Sequence, residues 1–129
     1  MKYVEALTGI DVEFGRKLWQ SLGEKKTFPF QGIFWLFQME PGIWHLFIAT
    51  PRVDAVGPRN AYAELTEITK HISADSDQLF KIELISPKHP LYQALRSVFG
   101  QTASVAGTRL GNTQIGGIYI DEAYLYEIR

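Results

Sequence analysis

The sequence predicts an α+β protein that forms one domain over residues 1–129: a two-layer sandwich of a mostly antiparallel sheet and about three helices. Three observations predict this class. Apolar residues recur at helical spacing in three segments, and strand-forming runs lie between them. The 129 residues are 46% hydrophobic and carry a formal net charge of -1, so the chain can bury a core and lacks a disordered composition.

The first element is a helix predicted over residues 9–22. Thr8 followed by Asp11 has the spacing of a capping box, with Asp in place of the usual Glu. The apolar positions, Ile10 among them, cover more than half of the helical wheel, which predicts a largely buried helix. Gly23 is a natural residue to end it.

Two strand-like runs, residues 31–38 and 43–49, flank the turn Pro41-Gly42 and predict an antiparallel hairpin. Neither run alternates apolar with polar residues, so both faces of the hairpin should be covered. A helix layer on one side would do this. The other side needs a second layer or a partner subunit.

A loop is predicted over residues 50–58, followed by a helix from Pro58 to about Ile72. Residues 73–78 read as a polar loop, and residues 79–85 as a central strand.

A short helix is predicted over residues 91–99, with Leu91, Leu95 and Val98 facing inward and Gly100 ending it. Two strands, about 103–110 and 114–120, should then be joined by a tight turn at Gly111-Asn112. Tyr124 to Tyr126 should form a last strand or extension.

Composition also limits the class of partner. The chain has no cysteine, which excludes disulfides, Cys-ligated zinc and thiol nucleophiles. It has no signal sequence, and its longest apolar run, Ile33 to Phe37, is too short for a membrane span, so we expect a cytoplasmic, most simply bacterial, protein. Nucleic-acid binding is disfavoured because the chain has no basic cluster longer than two residues; the pair Lys25-Lys26 lies beside Phe28 and Phe30.

Catalytic and metal motifs are weak. Glu64, Glu67 and His71 have spacing that could share a metal, but this spacing is common on solvated helix faces, so we assign no metal, cofactor or catalytic residue. Asp75-Ser76-Asp77 reads as a polar turn rather than a calcium loop. His45 lies in an apolar strand and is either a half-buried, hydrogen-bonded residue or a general base in a cleft.

The loop after the hairpin is the strongest ligand-site signal. Arg59 falls in the first turn of its helix, where a cation opposes the helix dipole. Asp54 could pair with it, or Arg59 could simply point to water. Alternatively, an acidic ligand or a partner carboxylate could bind at the helix N-terminus, with Arg52 as a second donor for planar anions. This alternative function, a small-anion binder or enzyme, has candidate ligand residues in and beside the loop: His45, Arg52, Asp54, Arg59 and Tyr62.

The preferred function is a non-enzymatic interaction or assembly module that self-associates as a homo-oligomer or binds another protein. The aromatic residues concentrate in the hairpin and in the C-terminal segment, and aromatics are enriched in interfaces. The candidate interface residues are Phe34, Trp35, Phe37, Trp44, Tyr124 and Tyr126.

Overall fold

The computed structural model describes residues 6–72, 76–101 and 104–129, and for residues 76 and 77 it describes the backbone alone. In this part of the chain five helices and five strands follow one another. Their order is α1 (Gly9–Glu24), β1 (Gly32–Gln38), β2 (Ile43–Ala49), α2 (Arg52–Val56), α3 (Pro58–Thr69), α4 (Ser76–Phe80), β3 (Ile82–Ile85), α5 (Pro90–Phe99), β4 (Thr108–Ile115) and β5 (Ile118–Ile128).

The five strands form one sheet in the order β3-β2-β1-β5-β4. All neighbouring pairs are antiparallel except β2 and β3, which are parallel. This confirms the α+β class and the mostly antiparallel sheet. The three longer helices, α1, α3 and α5, are the three that the sequence predicted, and α2 and α4 are short additions.

Strand β1 is apolar on both sides, and helices of the same chain cover both. Ile33 and Trp35 face a first core, in which side chains of α1 and α3 pack on the sheet. Phe34 and Leu36 face a second core, in which α5 packs on the opposite side. The sheet therefore lies between helices, and the second face of the hairpin is covered by α5 rather than by a partner subunit.

Helix α1 begins as predicted and ends later. The Thr8 hydroxyl accepts from the Asp11 amide, and the Asp11 carboxylate accepts from the Thr8 amide, which completes the capping box. Gly23 lies inside the helix rather than ending it. The chain leaves instead at Lys25, in an extended conformation that needs no glycine.

Three predictions for the region between β2 and α5 are wrong. The loop over residues 50–58 contains the short helix α2, and the strand predicted over residues 79–85 begins only at Ile82, because Leu79 and Phe80 end helix α4. Among the described residues strand β3 pairs with β2 alone, so it lies at the edge of the described sheet and not in its centre. A short apolar run does not distinguish a helix end from a strand, which explains the error.

The C-terminal hairpin turns at a different glycine pair from the predicted one. Gly116 and Gly117 both have positive φ, 55° and 82°, as a two-residue turn of this kind requires. Gly111 and Asn112 lie within β4 instead, where Asn112 accepts a hydrogen bond from the Tyr119 hydroxyl. Part of the strand predicted over 103–110 lies outside the described residues.

Helix α5 is confirmed, with Leu91 and Leu95 buried and Gly100 at its C-cap. Val98 was expected to face inward and is 52% exposed.

A buried tyrosine joins α1 to the sheet. Trp35 Nε1 donates to Tyr126 Oη at 3.0 Å, and Tyr126 Oη donates to the Val12 carbonyl at 2.7 Å. Burial raises the pKa of the Tyr126 hydroxyl, which keeps it protonated and able to donate. Gly15 makes room for this contact, because a Cβ there would lie 2.2 Å from Tyr126 Oη.

We therefore expect Gly15→Ala to lower the free energy of unfolding by about 1–3 kcal/mol, because the added methyl displaces the hydroxyl from its buried partners. Gly23→Ala in the same helix is the matched control. A Cβ there meets nothing within 4 Å, so alanine should raise stability by up to about 1 kcal/mol. Urea unfolding of both variants measures the difference, and equal stabilities would contradict this account of Gly15.

Candidate functional site

The five predicted ligand residues do not meet at one site. His45 lies opposite Leu36 in the hairpin register, on the side of the second core, with its ring edge-on to Phe47 at 6.3 Å between centroids. Tyr62 lies on the other side of the sheet, beside the first core. Its hydroxyl donates to the Ile82 carbonyl at 3.2 Å and accepts from the Leu84 amide at 2.9 Å, so it ties α3 to β3.

The predicted pairing of Asp54 with Arg59 is not formed in the described residues. The Asp54 carboxylate accepts from the Ser86 hydroxyl at 2.7 Å instead. Arg59 is exposed in the first turn of α3, which contains no acidic residue. Arg59 therefore lies at the positive end of the α3 dipole, exposed to solvent, without the Asp54 partner that was expected.

Arg52 has the most developed environment of the five. Its Nε donates to Glu64 Oε1 at 2.8 Å and its Nη2 to Oε2 at 2.7 Å, a bidentate pair between α2 and α3. The hydrogen bonds from Arg52 lower the pKa of the Glu64 carboxyl. Both side chains are partly exposed, at 28% and 35%.

The Arg52–Glu64 pair borders a surface cavity of about 610 Å³, which we call the Arg52 cavity. Its lining comes from the segment after α1, from the start of α2, and from one side of α3 and the residues that follow it. The lining residues are Lys25, Thr27, Phe28, Arg52, Glu64, Glu67, Ile68 and His71.

The three residues whose spacing could share a metal all line this cavity: Glu64, Glu67 and His71. Glu64 is taken by Arg52, and Glu67 accepts from Lys70 at 2.8 Å. No group of three or more His, Cys, Asp or Glu side chains is placed to hold a metal ion in the part of the chain that the structure describes. The motif Asp75-Ser76-Asp77 falls outside the described side chains.

The predicted interface aromatics are mostly inside the protein. Five of the six are buried: Phe34, Trp35, Phe37, Trp44 and Tyr126. Tyr124 is half-buried, with the Arg109 guanidinium 5.0 Å from its ring centroid. In this conformation these five side chains are not accessible to a partner. Phe28 and Phe30 are also buried, at 1% and 3% exposed, which removes the stacking platform for single-stranded nucleic acid.

Exposed apolar side chains concentrate elsewhere. The described residues include seven large hydrophobic side chains that are exposed. Chain order and strand register indicate that six of these lie in or beside elements that meet at one end of the sheet. We call this region the apolar end. Its members are Ile10, Met39, Ile43, Leu79, Phe80 and Tyr119, with Phe80 83% and Ile10 73% exposed.

Strand register and chain order place five of these residues at the same end of the sheet. Met39 follows the last residue of β1, and Ile43 begins β2. The Met39 amide donates to the Asp121 carboxylate at 3.2 Å, which brings the first residues of β5, including Tyr119, beside this turn. Leu79 and Phe80 precede β3, which runs parallel to β2. The four strands span about 14 Å, three spacings of about 4.8 Å.

A buried carboxylate holds α4 and α1 together at this end. Asp11 is 3% exposed, and its Oδ1 accepts from Gln78 Nε2 at 2.9 Å and from Lys81 Nζ at 3.1 Å. Burial by itself would raise the pKa of Asp11, but the hydrogen bonds from Thr8, Gln78 and Lys81 outweigh it and hold the pKa below its ordinary value. Ile10 is therefore placed beside the α4 segment.

The sequence did not predict the apolar end. It predicted a largely buried α1 with Ile10 on its apolar face, but Ile10 is 73% exposed and five of the 16 residues of α1 are buried. The unusual width of that apolar face was the available signal that part of it stays exposed. Leu79 and Phe80 carried no such signal, because they read equally well as the start of a strand.

No helix in the described part of the chain combines the length and the apolar character needed to cross a membrane. Comparison of the sequence with protein-family models and with curated proteins, and of the structure with solved structures, finds no match. Functional inference for this protein therefore depends on its own surfaces.

We expect Asp11→Asn to destabilise the protein at neutral pH, and by less as the pH falls. The folded-state pKa of Asp11 is lowered, so its stabilising contribution is complete above the unfolded value of about 3.9 and is lost as the pH falls through the folded value. Urea unfolding of the wild type and the variant across the acidic range measures this. A difference in unfolding free energy that stays constant below about pH 4 would contradict it.

Proposed function

We propose that the protein is a non-enzymatic interaction module that binds a basic, amphipathic segment of another protein at the apolar end. The observation that carries this proposal is the concentration of six of the seven exposed large apolar side chains at that end of the described structure. Apolar patches of this kind mark interaction surfaces, because leaving them in water costs free energy that a partner recovers.

The charges beside the apolar end favour a basic partner. Residues 38–43 and 118–122 contain three carboxylates, Glu40, Asp121 and Glu122, and no Lys or Arg. Lys81 lies nearby, but its ammonium already contacts the buried Asp11 carboxylate. A partner with Lys or Arg beside its apolar residues would complement this rim.

The same charges weigh against a second copy of the chain as the occupant. Two copies that met through this end would bring their acidic rims close together, and like charges repel. The hairpin aromatics through which the sequence predicted self-association are buried in the two cores, which weighs against that contact. A homo-oligomer therefore becomes an outcome that the experiment must exclude.

The dimensions suit a short helix. The end spans about 14 Å across four strands, and an α-helix rises about 5.4 Å per turn, so two to three helical turns would cross it. A helix of that length presents one apolar stripe with basic residues on either side, which is a common mode of peptide recognition.

The experiment uses a labelled peptide of about 14 residues, patterned with Leu and Lys to form an amphipathic helix, and a Leu/Glu peptide of the same pattern. Fluorescence anisotropy measures binding of each to the full chain. We expect the Leu/Lys peptide to bind, and Phe80→Ser to weaken it by about tenfold, because burying a Phe contributes roughly 1.5–3 kcal/mol.

Val98→Ser is the matched control, since Val98 is 52% exposed on α5, away from this end, and should leave binding unchanged. Glu122→Lys should weaken the Leu/Lys peptide and not abolish folding, because Glu122 is exposed. Equal affinity for the Leu/Glu peptide, or an equal loss with Val98→Ser, would overturn the proposal. A dimer in light scattering that Phe80→Ser dissociates would also overturn it, in favour of self-association.

A further inference from the structure

We propose that the Arg52 cavity is a second and separate binding site, which takes a small molecule with an apolar body and a carboxylate group. The proposal does not depend on the apolar end. The cavity lies between the segment that follows α1 and the side of α3, on the face of the first core. Its volume of about 610 Å³ is in the range of small-molecule sites.

Arg52 can bind a ligand while it remains paired. A guanidinium has five N–H donors, and the bidentate contact with Glu64 uses Nε and one donor of Nη2. The remaining donors can bind a second planar anion. The bidentate contact with Glu64 fixes the orientation of the guanidinium before a ligand binds.

The charge balance of the cavity favours an anion. Of its two carboxylates, Glu64 pairs with Arg52 and Glu67 pairs with Lys70. Lys25 also lines the cavity, and no ion pair in the described residues involves it. Its ammonium is therefore the surplus charge at the site, on the opposite wall from α3.

The apolar part of the cavity is set by the side chains at its base. Phe28 is 1% exposed and belongs to the first core, and Ile68 packs against that core from α3. Ile68 is partly exposed and offers a hydrophobic surface next to the charged groups, with Phe28 behind it in the core. A ligand with a carboxylate near Lys25 and Arg52 and a hydrocarbon or aryl body over Ile68 matches both parts.

A buried threonine connects the segment after α1 to the start of α2. Thr50 is fully buried, its hydroxyl donates to the Pro29 carbonyl at 2.6 Å, and it accepts from the Arg52 amide at 3.1 Å. The Phe28–Pro29 segment and the start of α2 are therefore held at a fixed separation. This preorganisation reduces the entropy lost when a ligand binds.

The experiment titrates the full chain with three probes, octanoate, octylamine and acetate, and follows amide and Arg Nε chemical shifts by NMR. Octanoate should shift the signals of Phe28, Arg52 and Ile68 and saturate. Acetate lacks the apolar body and octylamine has the opposite charge, so each should bind at least about tenfold more weakly. Octanoate that binds no better than either would overturn the proposal.

Variants locate the site. Lys25→Gln is at an exposed residue and should weaken octanoate several-fold, as should Arg52→Gln if its thermal unfolding shows a folded protein. Arg59→Gln is the matched control, because Arg59 is an exposed arginine outside the cavity lining. Phe80→Ser, at the apolar end, should also leave octanoate binding unchanged. An equal loss with Arg59→Gln or Phe80→Ser would show that octanoate binds elsewhere and would overturn the assignment.

Discussion

The structure depends on one constraint: strand β1 is apolar on both of its faces. A strand of this kind cannot lie at an edge or face water, so it must have a strand on each side and a covering layer above and below. The chain meets the first requirement by pairing β1 with β2 and with β5. It meets the second with α1 and α3 on one face and α5 on the other.

Covering both faces brings polar groups into the interior, and two tyrosines among them form hydrogen bonds that join separate elements. Tyr126 connects the sheet to α1 through Trp35 and Val12, and Tyr62 connects α3 to the edge strand β3. A buried hydroxyl costs free energy unless it is hydrogen-bonded, so these contacts also specify where each helix lies. The position of Gly15 shows how closely α1 approaches the sheet.

The two proposed binding surfaces arise where this covering is incomplete. Helices α1 and α3 cover the middle of the first face, but the turn of the hairpin, the start of β5 and α4 extend past them and leave the apolar end exposed. The Arg52 cavity lies between the segment after α1 and the side of α3. One surface is apolar with an acidic rim, and the other combines a hydrophobic base with a surplus cation. The two therefore suit different partners.

The sequence by itself determined the local elements: the capping box at Thr8 and Asp11, the hairpin around Pro41-Gly42, and three amphipathic helices. These follow from spacing and turn chemistry within a few residues. Only the tertiary structure decided that β3 lies at the edge of the described sheet and that Arg52 pairs with Glu64 rather than Asp54 with Arg59. It also decided that five of the six predicted interface aromatics are core. Those outcomes depend on which segments meet across the sheet, and an apolar strand reads the same whether its own chain or a partner covers it.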